Sequence, residues 1–160
     1  MPVTNAPNHI IIPEIKKLID EGHTVTLRVR GVSMRPFLDD GRDCVLLAPC
    51  EDKANLHRGD IVLAEVFPKQ YVLHRIVRIE GDQLTLRGDG NLAGREKCRA
   101  TDVIAIVTAF YRKGRKKADL TDGWKWRIYS ALWPDSFLAR RILLACYRHI
   151  VLRIFPSRTN

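Results

Sequence analysis

The sequence has no apolar stretch long enough to span a bilayer. Its longest early run, Ile10-Ile11-Ile12, ends at Pro13, and the leader Met1 to Asn8 carries two prolines and no basic segment. An export signal needs both a basic start and an apolar core, so none is expected, and the expected location is cytoplasmic or peripheral on the cytoplasmic membrane. Cysteine is sparse: Cys44, Cys50, Cys98 and Cys146 form no C-x-x-C pair and have no histidine at zinc-finger spacing. That excludes a structural zinc module and leaves four small, buried or half-buried thiols in a reducing compartment; no metal and no cofactor are expected. Internal repeats and low-complexity segments are also missing. With 46% hydrophobic and 28% charged residues, the 160-residue chain has the composition of one globular domain with an appendage.

Acidic residues run short at one end only. Up to Phe110 there are 15 Lys/Arg against 15 Asp/Glu, whereas from Tyr111 onward there are 12 against 3, so the tail carries the whole net charge of +9. A neutral body with a basic tail implies an anionic partner for the tail.

What is present reads as short strands. Pro13 to Glu21 has apolar residues at 15, 18 and 19 before Gly22, which predicts a short amphipathic helix. From Thr24 the period changes to two, with Val25, Leu27 and Val29 alternating with Thr26, Arg28 and Arg30. Further β-rich runs follow at 44–48, 61–67, 71–79, 83–87 and 103–111, punctuated by turn clusters such as Arg58-Gly59-Asp60 and Gly88-Asp89-Gly90-Asn91. The expected fold is mainly β: a small antiparallel, partly open β-barrel-like domain at 24–111, after a leader and N-terminal helix at 1–23. Residues 112–160 follow as a solvated basic linker and a basic amphipathic helical tail. Within that tail Phe137 to Phe155 predicts one helix, with Ala139, Leu143, Tyr147, Ile150 and Ile154 on one side and Arg140, Arg141 and Arg148 on the other. Four arginines in those nineteen residues exclude a comfortable membrane span. Together with Trp124, Trp126 and Trp133 they favour an anionic membrane surface as partner of residues 124–155.

Chemistry concentrates in two places. Gly31-Val32-Ser33-Met34-Arg35-Pro36 follows the first strand directly, and a serine there is useful if a base can take its proton and backbone N–H groups can receive an oxyanion. It is not a G-x-S-x-G elbow, because Arg35 and Pro36 follow. The second place is His74, within the β-forming run Tyr71 to Val77. The other histidines, His9, His23, His57 and His149, fall in the leader, after a helix stop, before a turn and in the tail. Only His74 lies on a strand of the β domain, where a buried imidazole needs partners for its nitrogens.

Taken together, Ser33-Met34-Arg35-Pro36, Gly59-Asp60-Ile61-Val62, His74-Arg75-Ile76-Val77 and Gly88-Asp89-Gly90-Asn91 resemble, in order and spacing, the boxes of the S24/S26 serine peptidase clan. That clan contains the signal peptidases and the LexA-like self-cleaving proteins, and the resemblance spans about Thr24 to Phe110. It implies a serine endopeptidase with Ser33 as nucleophile and His74 as general base, acting on a protein or peptide substrate. Histidine where bacterial signal peptidases and LexA-like proteins usually have lysine resembles the endoplasmic-reticulum subtype. A carboxylate would steady the imidazole, and the candidates are Asp89, in the matching box, and Asp102, before the last long strand. Gly31 stands where signal peptidases often have an oxyanion-hole serine, so oxyanion support would come from the backbone around Gly31, Ser33 and Met34. The membrane anchor of signal peptidases and the DNA-binding domain of LexA-like repressors are not recognisable. The competing expectation is a non-catalytic peptide-binding or membrane-associated adaptor on the same fold. A nucleic-acid binder ranks last, since no reading helix or aromatic platform is visible.

Overall fold

The structure is a computed structural model, and it describes residues 8–115 and 117–154. Expectations for the leader before Asn8 and for Phe155 lie outside the described residues. The chain forms helix α1 (Asn8–Asp20), then strands β1 (Val25–Arg28), β2 (Cys44–Ala48), β3 (Ile61–Phe67), β4 (Gln70–Glu80), β5 (Gln83–Arg87), β6 (Glu96–Arg99), β7 (Val103–Tyr111) and β8 (Asp119–Leu120). Helices α2 (Trp124–Leu132) and α3 (Phe137–Cys146) follow, and α3 runs on through a π-helical turn Tyr147–Val151 into a last α-turn Leu152–Ile154. All strand pairings are antiparallel, in the order β1-β2-β7-β3-β4-β5-β6, with β8 beside β7. The mainly β, antiparallel architecture expected from the strand spacing is therefore present.

α1 starts five residues earlier than proline would suggest, with Pro13 inside it. The missing amide is outweighed by burial: Ile12, Ile15 and Ile19 recur at helical spacing and all enter the core with Val45, Leu47, Leu63 and Phe110. A second core between β3, β4, β5 and β6 holds Val62, Ile76, Leu84, Leu86 and Cys98. Of the six β runs read from the sequence, four match their strands residue for residue, while β6 and β8 were not legible. β6 reads Glu-Lys-Cys-Arg and buries Cys98 alone, so it presents no alternating apolar face.

The basic segment after β7 is not wholly a solvated linker. Arg112 folds back, donating to Asp43 Oδ2 at 2.8 Å and to the Phe37 carbonyl, with its guanidinium 4.3 Å from the Phe37 ring centre. The tail then packs on the body. Trp126 joins the first core and forms, with Phe37, Phe110 and Tyr129, a cluster whose ring centres lie 4.6–5.6 Å apart.

The thiols divide by burial: Cys98 is buried and Cys146 is exposed, and all four are free. Burial, reinforced by the charge of Asp102, pushes the Cys98 thiol up to about 11. Alkylation of the native protein at pH 8, followed by peptide mapping, is expected to modify Cys146 first and leave Cys98 unmodified until the protein is denatured.

Candidate active site

The turn after β1 and the turn after β5 meet, although β1 opens the sheet order and β5 stands sixth in it. The Gly90 N–H donates to the Ser33 carbonyl at 2.7 Å, so the sheet curls until these two turns touch. Contact is close enough to demand glycine twice. A Cβ on Gly88 would overlap the Ser33 carbonyl and stand 3.0 Å from His74 Nε2, and one on Gly90 would stand 2.5 Å from the Val32 carbonyl. Inside the curl lies a cavity of about 140 Å³. Ser33, Met34 and Leu27 to Arg30 line it on one side, Tyr71 to His74 of β4 on another, with Ile12 and Leu63 completing the wall.

His74 is almost fully buried, and its Nδ1 lies 2.9 Å from Glu96 Oε2. A carboxylate only accepts, so Nδ1 carries a proton, and in the neutral ring Nε2, which lies toward Gly88 and the Ser33 backbone, is then the accepting nitrogen. Sheet register explains the meeting. Ile76 pairs with Leu86 and Leu86 with Glu96, so these three point to one face, and His74 shares that face two residues from Ile76.

Neither aspartate expected to steady His74 does so. Asp89 is fully buried and turned toward its neighbour on β4: Arg75 donates to its two oxygens at 2.8 and 2.7 Å, and the Tyr129 hydroxyl donates to Oδ2 at 2.9 Å. Burial is the largest cause, and Asp89 the next, holding the Tyr129 phenol well above its ordinary range, so it donates as a neutral hydroxyl. Asp102 sits beyond the end of β6, where it accepts from the Arg99 N–H at 2.7 Å and closes a short 3₁₀ turn. One is a structural anchor and the other a cap. Glu96 was missed because β6 gives no strand signal, and its position beside His74 exists only once register is set.

The loop carrying Gly88 and Gly90 is clamped by cations. Arg140, only 1% exposed, donates to the carbonyls of Gly88, Asp89 and Asn91 at 3.2–3.4 Å, and to that of Pro134 at 2.7 Å. Arg87 donates to the carbonyls of Asn91, Leu92 and Asp135. Thus α3 turns inward Arg140, which the helical projection groups with Arg141 and Arg148 on the side away from the apolar residues.

On the serine side, Gly31 has φ +84° and its N–H donates to Asp40 Oδ1 at 2.8 Å, which commits it to shaping the turn. Arg35 Nε donates to Asp39 Oδ1 at 2.5 Å and closes the next turn. The N–H groups of Ser33 and Met34 donate to no described residue, whereas those of Arg35 and Leu38 are taken by the turn's own carbonyls.

A family model described as Peptidase S24-like matches residues 3–108. The chain belongs to that family. The match takes in Ser33, His74, Gly88 to Asn91 and Glu96 and ends within β7, so α2 and α3 of this S24-like protein lie beyond the matched region. No curated protein and no solved structure matches the chain. Membership places the protein among peptidase-fold proteins, a family whose members typically act on proteins.

If Glu96 fixes the His74 tautomer, its removal has a kinetic effect larger than its structural one. Glu96→Gln is expected to lower kcat/KM by about 10²–10³-fold, less than a fully buried orienting carboxylate because Glu96 is partly exposed. Denaturant unfolding of the variant should differ from that of the parent by no more than about 1 kcal/mol.

Proposed function

We propose that this S24-like protein is a serine endopeptidase of the signal-peptidase-like type, with Ser33 as nucleophile, His74 as general base and Glu96 as the residue that positions the imidazole. The observation that carries this reading is the shared cavity: Ser33 and His74 line one groove, with His74 Nδ1 already engaged by Glu96. In this mechanism Nε2 takes the proton of Ser33 Oγ as oxygen attacks the substrate carbonyl carbon. The oxyanion that forms is met by the N–H groups of Ser33 and Met34. Collapse breaks the C–N bond, the imidazolium returns its proton to the departing amine, and an ester remains on Ser33. A water, deprotonated by His74, then attacks the ester; the proton returns to Oγ and the acid product leaves.

Substrate geometry follows from the same walls. β1 is an edge strand, with β2 on one side only, and its end together with the two residues beyond it, Leu27 to Arg30, borders the groove, so an extended peptide can pair with it. The cavity is small, and the apolar part of its wall, formed by Ile12, Met34 and Leu63, suits a short apolar side chain next to the cleaved bond. The family resemblance points to the same preference.

A library of extended peptides incubated with the protein and read by mass spectrometry tests this reading. Cleavage after alanine-sized residues, lost in Ser33→Ala, is the expected result. A library left intact by the parent protein, or cut equally by Ser33→Ala, would overturn it and favour an adaptor that binds peptides without cutting them.

A further inference from the structure

Helices α2 and α3 attach to the body by part of their surface and leave an apolar part outside. α2 turns Trp126 and Tyr129 inward, while Trp124, Ile128 and Leu132, spaced i, i+4 and i+8 along one stripe, are 70%, 52% and 75% exposed. In α3 the buried residue is Arg140, and Leu138 and Ile142, again i and i+4, stand exposed, as does Ile150 in the turn beyond. In a water-facing helix these positions would be polar and the arginine would be outside.

The surroundings of this face have one sign. Arg127, Arg141, Arg148 and Arg153 are exposed. From Trp124 to Ile154 the sequence has one acid, Asp135, and it is ion-paired with Arg58. We propose that this face is an interfacial membrane-binding surface, which lays Trp124, Ile128 and Leu132 of α2 and the outer side of α3 into an anionic lipid headgroup layer. Exposed apolar side chains enter the acyl boundary, tryptophan sits at headgroup level, and arginine pairs with lipid phosphate while its stem stays apolar. None of the described helices is long and apolar enough to cross a membrane, so the helices lie on the surface. Charge selects lipid over a second copy of the chain, because a two-fold contact through this face would set arginines against arginines. It selects lipid over nucleic acid as well, since a phosphate backbone engages the arginines and leaves the apolar stripe in water. The surface does not depend on the chemistry of Ser33. It is tied to the site mechanically, since α3 holds the Gly88 to Asn91 loop through Arg140.

Co-sedimentation of the full chain with phosphatidylcholine vesicles, with and without phosphatidylglycerol, tests the proposal. Binding to the anionic vesicles is expected, weaker by about tenfold or more on phosphatidylcholine alone and falling with salt. The triple variant Trp124→Ser/Ile128→Ser/Leu132→Ser should lose about tenfold or more in partitioning while keeping the parent's circular dichroism and melting temperature, because these side chains face outward. Arg141→Gln/Arg148→Gln should weaken binding and flatten its salt dependence. In Trp124→Phe binding should persist while the blue shift of tryptophan emission on vesicle addition is lost. Failure of the parent to bind anionic vesicles would overturn the proposal, as would full binding by the triple variant. A solution dimer that the triple variant dissociates would assign the face to a second copy, and duplex DNA binding unaffected by the triple variant would assign the charge to nucleic acid. Ser33→Ala should bind vesicles like the parent, so failure here and failure of the peptidase reading are separable.

Discussion

Alanine at Ser33 and alanine at His74 are each expected to lower peptide cleavage by about 10⁴-fold or more, and the double variant is expected to be no worse than either single one. The non-additivity is the informative part. A hydroxyl without its base and a base without its hydroxyl both leave only binding and oxyanion stabilisation, so the second deletion removes nothing further. Ser33→Ala should fold as the parent does, since the serine is bound into the structure through its carbonyl, which accepts from the Gly90 N–H at 2.7 Å. His74→Ala removes a buried ring and frees Glu96, so its stability is expected to fall by about 2–3 kcal/mol, which unfolding curves can separate from the kinetic loss. Additive losses in kcat/KM would mean that the two residues do not act as a unit.

Asp89→Ala is expected to be the most destabilising single substitution in the site, costing about 3–5 kcal/mol. Asp89 is wholly buried and accepts from Arg75, itself nearly inaccessible, through both oxygens, and from Tyr129. Removing it strands a buried guanidinium with Arg87 and Arg140 close by. Burial is the largest cause lowering the affinity of both those arginines for their protons, and each also suffers the charge of a neighbouring arginine. For a chain of this size the loss corresponds to a fall in melting temperature of roughly 10 °C. Activity should fall too, because the same loop carries Gly88 and Gly90 against Ser33. An Asp89→Ala protein within about 1 kcal/mol of the parent in urea unfolding would show that the Arg75–Asp89–Tyr129 cluster does not hold the loop.

Most of the architecture was legible because strands in this chain announce themselves locally. Alternation in 25–29 and apolar runs at 61–67 and 103–111 are set by residues next to one another, and turn glycines mark where each ends. Ser33 and His74 were picked out as candidates for a related reason, each being the one group of its type on an otherwise β-forming or motif-bearing segment. Glu96 was not, because its role depends on the β4-β5-β6 register, a property of three strands that no single segment contains, and because β6 is a charged edge strand with one buried residue. Asp89, one of two candidates for steadying the imidazole, meets a different partner for the opposite reason: its box was plain to see, but which side of β4 its carboxylate meets depends on Arg75 pointing away from His74. The tail was misjudged at Arg140, where a carbonyl-lined pocket made by a distant loop outweighs the helical pattern that would keep an arginine in water.

The central claim, that Ser33 is an activated nucleophile served by His74, is tested most directly by treating the full chain with a fluorophosphonate and locating the adduct by peptide mass. One adduct on the peptide containing Ser33, abolished in His74→Ala and in protein unfolded before treatment, is the predicted result. No adduct on the folded protein, or an adduct that forms as readily without His74, would contradict it.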